Sequence, residues 1–538
     1  MGSVTRAGQA WDDEADIVVV GFGGAGACAA LEAAQDGAVV VALERYHGGG
    51  ATAASGAIIY AGGGTTHQQA TGYDDTPEEM YKYLKLEVGE AVSDSTLERF
   101  CQESPGNIAW LEEAGVPFEA SLCPFKTSYP TDDYYLYFSG NEQVLRYKAK
   151  ARPAPRGHRA KGPGISGHAL FYALEGAAQR CGVQVRRQTQ VQRLVLSEYG
   201  RVMGVEGRSI PPGSGWAVLH GHLSKINAKA TTYAPGIARH ITATLEKIMG
   251  RYGLAYRVRA RKGVILAAGG FIFDPEMVQE HAPAYRRCLP LGTPGDDGAG
   301  IRLGESVGGT TARMDRVSAW RFYVPPDVLV QGVLVNKWGE RICNEDLYGA
   351  TLGDQIVANG GDAFLVFDSQ TYREAVHRLR SQAAMFQWLY MLPMFLIGRK
   401  KAKSLEALAD KIGLPADGLL ATMSTYNACA ERGDADPLGK VPERFVPQDR
   451  PPFYAIDCSL DSANGVPCSS MTLGGLVVDE ETGQVMRADG STIEGLYAAG
   501  RNAVGLCSEA YVSGLSIADC VYSGRRAGRH AAKLPSGE

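Results

Sequence analysis

Gly21-Phe22-Gly23-Gly24-Ala25-Gly26 stands directly after the apolar run Asp16-Ile17-Val18-Val19-Val20 and opens an Ala-rich stretch. This pattern constrains the fold more than any other part of the chain. The apolar run reads as a buried strand of a parallel sheet. The glycines let the backbone turn tightly and approach a pyrophosphate, whose charge then sits at the N-terminus of a helix beginning near Ala25. A second run, Val39-Val40-Val41-Ala42-Leu43, ends in Glu44, eighteen residues after Gly26. A carboxylate at that place can accept a hydrogen bond from a ribose hydroxyl. A GxGxxG alone is weak evidence. Set between a strand and a helix, with a carboxylate closing the next strand, it marks residues 16–45 as a β-α-β dinucleotide site.

A chain of 538 residues exceeds what one hydrophobic core supports, so two or more domains are expected. Its 67 glycines are nearly twice the usual share and gather in short clusters, as close backbone approach to a large cofactor requires. The net charge of −5, without a basic face interleaved with aromatics, argues against nucleic-acid binding. The eleven cysteines form no CxxC pair and no Cys/His cluster at metal spacing. Neither a disulfide framework nor a metal site is expected, and reduced thiols in a cytoplasm are the plain reading. No basic-then-apolar leader is present, and Arg6 stands where a myristoylation signal after Met1-Gly2 would want Ser or Thr. No run of 18 apolar residues offers a transmembrane span.

Further along, residues 48–56 form a second small-residue loop and residues 76–115 read as helices. An aromatic loop carries Tyr129, Tyr134, Tyr135, Tyr137 and Phe138. A helix over 167–181 leads to strands at 183–185 and 190–196. Strands at 202–205 and 263–270 belong together, separated by an insert at 210–257 that is helical over 237–252. From 216 to 256 this insert carries five Lys/Arg against one Glu. It reads as a solvated surface hairpin, or else as a docking element for a membrane surface or a partner. Residues 304–455 have fewer glycine clusters and more aromatics, and read as a second domain inserted into the first. Within them the greasy stretch 385–397 is a core or interface helix, with a substrate mouth as the alternative. Val446–Pro452 marks the return to the first domain. Gly495–Asn502 gives a strand ending in a glycine turn, and a helix begins at Gly514. The N–H groups and partial charge of that helix start suit a flavin, whose reduced ring is negative near N1.

With Gly21–Gly26, Glu44, Gly50–Gly56, Ala267–Gly270, Thr293–Gly298, Gly495–Gly500 and Gly514–Ser516, the chain resembles the fumarate reductase/succinate dehydrogenase flavoproteins, and among them the 3-ketosteroid dehydrogenases. The resemblance implies an α/β fold: a Rossmann-like FAD-binding domain (1–303 and 456–538) interrupted by an α+β catalytic domain (304–455). It implies cofactor contacts at Gly21, Gly23, Gly24, Ala25, Gly26, Glu44 and Arg45, at Gly50, Thr52, Ser55 and Gly56, at Val191, Ala268 and Gly269, and at Gly500, Asn502, Gly514, Leu515 and Ser516. Respiratory relatives bind flavin covalently through a His in the second glycine loop. Residues 48–56 contain none, and His47 stands in a different setting, so FAD is expected to be noncovalent.

Fumarate-reducing members use an Arg shortly after a segment like Gly339-Glu340-Arg341-Ile342-Cys343-Asn344-Glu345. Here Tyr348 occupies that neighbourhood and no Arg follows from 349 to 358. Tyr511-Val512-Ser513-Gly514 is similar to the 4,5-desaturating group, whereas 1,2-desaturating members resemble Tyr-Pro-Gly-x-Gly there. Removing hydrogen beside a ketone means losing a proton from the α carbon and a hydride from the β carbon, which flavin N5 accepts. Tyr511 is the expected donor to the enolate. By resemblance Ser513 takes the C4 proton, with Tyr348 relaying it, since a serine is a poor base unaided. Tyr134 or Tyr135 is a candidate for the steroid pocket, with loop packing as the alternative. The expected partners are a steroid and an unidentified electron acceptor, with peripheral membrane contact through 210–257 as a further expectation. The rival functions are a 1,2-dehydrogenase, a reductase running the same chemistry backwards, and a flavin-carrying electron-transfer subunit without its own substrate.

Overall fold

The computed structural model describes residues 5–6, 10–462 and 468–535; the Met1-Gly2 start lies outside them. Strand β1 (Asp13–Val20), helix α1 (Gly24–Gln35) and strand β2 (Val40–Leu43) follow one another as the β-α-β pattern requires. β1 and β2 pair in parallel, from Ile17 opposite Val40 to Val20 opposite Leu43. Both faces of β1 are covered. Ile17 and Val19 pack in one hydrophobic cluster with the alanines of α1, whereas Val18 and Val20 belong to a second cluster on the opposite face. Burial on two sides explains why the run carries no polar alternation.

Strands β3 (Gln184–Arg186), β4 (Thr189–Leu196) and β5 (Val202–Ser209) lead to a helical hairpin, α2 (Gly215–Tyr233) and α3 (Pro235–Tyr252). The chain returns in the long strand β6 (Leu254–Leu266). The insert is therefore two helices rather than one, and its last residues already belong to the sheet. β6 pairs antiparallel with β5 through its first half, Leu254 opposite Ser209, and parallel with β1 from Val258, opposite Asp13, to Leu266, opposite Val20. The resulting order β4-β5-β6-β1-β2-β3 forms the body of a nine-stranded sheet.

A separate four-stranded antiparallel sheet, in order β7-β8-β10-β9, is built from β7 (Val333–Asn336), β8 (Ala363–Phe367), β9 (Lys400–Ala402) and β10 (Phe453–Asp457). Beyond it, β11 (Thr492–Ala498) rejoins the large sheet beside β6, with Val264 opposite Leu496. Helix α4 (Leu515–Lys533) then packs along α1. Arg525 and Arg529 of α4 both reach the buried carboxylate of Glu32, at 2.7 and 2.6 Å, so late residues are fastened to the first helix. No described helix is long and apolar enough to cross a membrane.

Candidate active site

The turn after β1 shapes the nucleotide end of the site. A Cβ on Gly26 would lie 2.0 Å from the Gly21 carbonyl oxygen, so only glycine lets α1 start this close to the strand end. No side chain caps α1 at Gly23 and no acidic residue stands in its first turn, which leaves its N-terminal charge for an anionic group. Glu44 is buried and holds the loop: its carboxylate accepts from the Phe22 N–H at 2.9 Å and from the Tyr46 N–H at 2.8 Å. Each oxygen keeps a further lone pair, as a ribose hydroxyl needs. Thr52, in the second glycine loop, accepts from the Gly24 N–H at 3.1 Å and ties the two loops together. Ser55 donates to the Thr52 carbonyl at 2.7 Å. Arg45 spends its guanidinium on Asp297 at 2.7 Å and on the Tyr46 hydroxyl at 2.7 Å.

The other end is built where α4 begins. Gly514 has φ +92°, and a Cβ there would meet the Tyr60 nitrogen at 2.6 Å. α4 has neither a side-chain cap nor an acidic residue in its first turn, so its start also faces the site unneutralised. Tyr511 lies flat on Trp320, with ring centroids 5.1 Å apart. Its hydroxyl oxygen accepts from the Gly514 N–H at 3.2 Å, which leaves the phenolic proton free to be donated. Ser513 Oγ stands 3.2 Å from the Tyr137 hydroxyl, and the Tyr348 side chain interacts with Ser513 as well. Tyr348 is fixed by its own backbone N–H, which donates to Asn141 Oδ1 at 2.6 Å, and by the Phe322 ring. Burial pushes the hydroxyls of Tyr511, Tyr348 and Tyr137 above the ordinary phenol range, so all three stay protonated at neutral pH.

One cavity of about 410 Å³ joins the two ends. Its lining includes Gly21, Gly23, Gly24, Ala25, Glu44, Arg45, Gly50, Thr52, Ser55, Gly56, Val191, Ala268, Gly269, Gly514 and Ser516, together with Tyr348, Tyr511 and Ser513. The rest of the expected set stands elsewhere. Gly26 and Gly500 back the cavity wall through close packing, and Leu515 is fully buried in the core. Asn502 supports from behind, its Oδ1 accepting from the Ala268 N–H at 3.1 Å.

Tyr134 and Tyr135 do not line the cavity. Tyr134 packs edge-on against Phe125, and Tyr135 lies under the guanidinium of Arg159, so loop packing holds both. Their neighbour Tyr129 lines the cavity instead, packed on Phe386 from the 385–397 stretch; Phe386 and Gln387 make that stretch part of the wall. Sequence reasoning did not single out Tyr137, Tyr129, Trp320, Phe322 or the residues of α2 that reach the cavity. For Tyr137 the only available signal is its place in the aromatic loop.

The chain belongs to the FAD binding domain family, whose sequence profile matches residues 16–514, and its cofactor is FAD. The residues present fit that group: two uncapped helix starts, glycines that no side chain could replace, and a buried carboxylate facing the nucleotide end. A 3-oxo-5-alpha-steroid 4-dehydrogenase from Comamonas testosteroni is 38% identical over 512 residues, which cover 93% of this chain and 96% of that protein. The crystal structure of 3-ketosteroid-Δ4-(5α)-dehydrogenase from Rhodococcus jostii RHA1, in complex with 4-androstene-3,17-dione, matches with a TM-score of 0.83 and 32% identity. The match covers 99% of this chain and 100% of that one. A 3-ketosteroid Δ1-dehydrogenase from Sterolibacterium denitrificans shares the fold at 19% identity, with a TM-score of 0.67 over 97% of this chain and 99% of that one. The expected α/β flavoprotein architecture is thus borne out.

Proposed function

We infer that this flavoprotein is a 3-ketosteroid Δ4-(5α)-dehydrogenase, which introduces the double bond between C4 and C5 of a saturated 3-ketosteroid. The observation that carries the inference is the meeting of Tyr511, Ser513 and Tyr348 in one cavity, in a chain whose full-length relatives are named for that reaction.

Bound FAD supplies the acceptor for the C5 hydride at N5. The protein's own part is to make the C4 proton removable. Tyr511 donates its free proton to the C3 ketone oxygen and stabilises the developing enolate, while the Gly514 N–H holds the phenol in place. Ser513 Oγ takes the C4 proton as it passes its own to Tyr348, which delivers a proton to water. Because burial disfavours a standing phenolate, the transfer through Tyr348 leaves both hydroxyls neutral. Trp320, Phe322, Tyr129 and Phe386 supply the apolar wall that a steroid nucleus requires.

Dividing the chain near 303 and 455 puts Tyr348 on the inserted unit and Ser513 on the first, in keeping with the separate four-stranded sheet. FAD is held without a covalent bond. His47 lines the cavity beside Arg45 and Tyr46, among residues of the nucleotide end rather than the flavin end. Acid precipitation should release all yellow colour into the supernatant, and flavin retained on the pellet would refute this.

The decisive experiment is an anaerobic titration of the holoenzyme with a saturated 5α-3-ketosteroid, with product identification. Flavin bleaching with a 4-ene product is expected. A 1-ene product would make the enzyme a 1,2-dehydrogenase, and a flavin that ignores ketosteroids would sink the assignment.

The proposed partners are the steroid and an electron acceptor not yet identified. Peripheral membrane contact through the hairpin is supported by the exposed Trp216, Val218, Leu219, Ile226 and Ile237, which stand among exposed Lys225, Lys229 and Arg239. Cosedimentation with anionic vesicles should fall in Ile226→Glu/Ile237→Glu; no binding by the parent protein removes the idea.

A further inference from the structure

Helix α2 is built inside out. His220, Ser224, Asn227 and Thr231 recur at helical spacing and are all buried, whereas Trp216, Val218, Leu219 and Ile226 are exposed. The polar stripe is the one turned inward. Ser224, Asn227 and Ala228 line the cavity beside Arg45, Tyr46 and His47. His220 anchors the helix there, its ring parallel to that of Tyr46 with centroids 6.2 Å apart.

Two of the four stripe residues need no ligand to account for them. Ser224 donates to the Gly221 carbonyl at 3.0 Å and Thr231 to the Asn227 carbonyl at 2.8 Å. His220 lies against Tyr46, and its Nδ1 is buried without a partner. Asn227 carries an orphaned atom whose role is fixed. Its Nδ2 donates to Thr242 Oγ1 of α3 at 2.8 Å, and the Thr242 hydroxyl spends its single proton on the Ala238 carbonyl at 3.0 Å. The threonine therefore accepts from Asn227, which fixes the amide's orientation. Asn227 Oδ1 is left buried and without a protein partner, on a residue that is 3% exposed and lines the cavity. A buried amide oxygen of this kind calls for a donor.

We propose that the α2–α3 hairpin is a clasp over the adenosine half of FAD, with Asn227 Oδ1 accepting a hydrogen bond from it. The inference rests on the FAD assignment. The position beside Arg45, Tyr46 and His47 belongs to the nucleotide end, directly after Glu44. Pyrophosphate oxygens only accept, so they would repel Oδ1. The donors of that half are the exocyclic amino group of adenine and the ribose hydroxyls. Thr242 is a positioning residue, acting through the amide.

The test is equilibrium binding of FAD, FMN and flavin hypoxanthine dinucleotide to the full-length protein stripped of flavin, followed by flavin fluorescence. Circular dichroism and thermal unfolding check the fold of each variant. Asn227→Ala should weaken FAD binding about fivefold, the effect of one lost hydrogen bond, and leave FMN binding unchanged. Asn227→Asp keeps an acceptor of the same size and should bind FAD more tightly than Asn227→Ala. If Asn227→Ala has no effect with the hypoxanthine analogue, the adenine amino group is the donor; if its effect persists, a ribose hydroxyl is. Unchanged FAD affinity in folded Asn227→Ala overturns the clasp, as does an equal loss for FAD and FMN. Failure of the parent protein to bind FAD at all would overturn the cofactor assignment instead.

Discussion

Three buried phenols and one serine hydroxyl meet at the substrate end of the cavity, and their hydrogen bonds divide the work proposed for them. Tyr511 is bonded only through its oxygen, so removing the hydroxyl takes away a donor aimed at the ketone. Tyr511→Phe should retain FAD and lose about 10²–10³ in kcat, as loss of one enolate donor does, read by steady-state turnover with a saturated 3-ketosteroid. Wild-type turnover would remove its role. Ser513→Ala should abolish turnover while steroid still binds. Tyr137→Phe leaves Ser513 with Tyr348 but without its 3.2 Å neighbour, and about a tenfold fall in kcat with little change in KM is expected. Tyr511 and Ser513 are legible in the sequence because they stand directly before a glycine that starts a helix. Tyr137 is not: it meets Ser513 across 376 residues, through a pairing that no local pattern announces. Tyr134 and Tyr135 resemble it in sequence, yet the loop turns their rings onto Phe125 and Arg159.

The elements most open to reading are those whose burial follows a periodic apolar pattern. β1, α1 and β2 fall where the glycine loop and two valine-rich runs place them, because each run is covered on both faces. α2 escapes because pattern reading looks for an apolar inner stripe and here the inner stripe is polar. That inversion has a consequence for pH. Burial, followed by the Arg45 charge, lowers the His220 pKa from 6.5 to about 4. Between those values the unfolded chain binds a proton that the folded protein does not, so stability rises with pH across that window and falls as acid is added. The His220 contribution should be complete above pH 6.5 and lost towards pH 4. His220→Gln should flatten that part of the stability–pH curve measured by urea unfolding, and an unchanged slope would show that His220 does not set it. The contact between α1 and α4 gives a second expectation. Glu32→Ala leaves Arg525 and Arg529 without their carboxylate and should cost roughly 2 kcal/mol, measured by the same unfolding.

At the scale of the molecule the site belongs to no single stretch of chain. Gly21–Ala25, Tyr348, Ser513, Gly514 and Ser516 line one cavity, and α4 is ion-paired to α1. Cofactor binding should therefore stabilise the whole fold. At a thousandfold excess of FAD over its Kd the gain is roughly 4 kcal/mol, seen as a rise in Tm from apoprotein to holoenzyme. A holoenzyme that melts with the apoprotein would mean that the cofactor does not join these parts. The large sheet and the cofactor class are legible because glycine loops and buried strands are local signals. The apolar lining of the substrate end is less so, since Trp320 and Phe322 come from the interior of the chain and only tertiary packing sets them in one wall with Tyr348.

The ion pairs between α4 and α1 also bear on biosynthesis. Part of the pocket wall, Tyr511, Ser513, Gly514 and Ser516 among it, lies far downstream of the glycine loop, so a growing polypeptide presents that loop long before it can enclose a flavin. Loading then awaits the synthesis of α4, and cells short of riboflavin would accumulate chains that have made this helix but hold no cofactor.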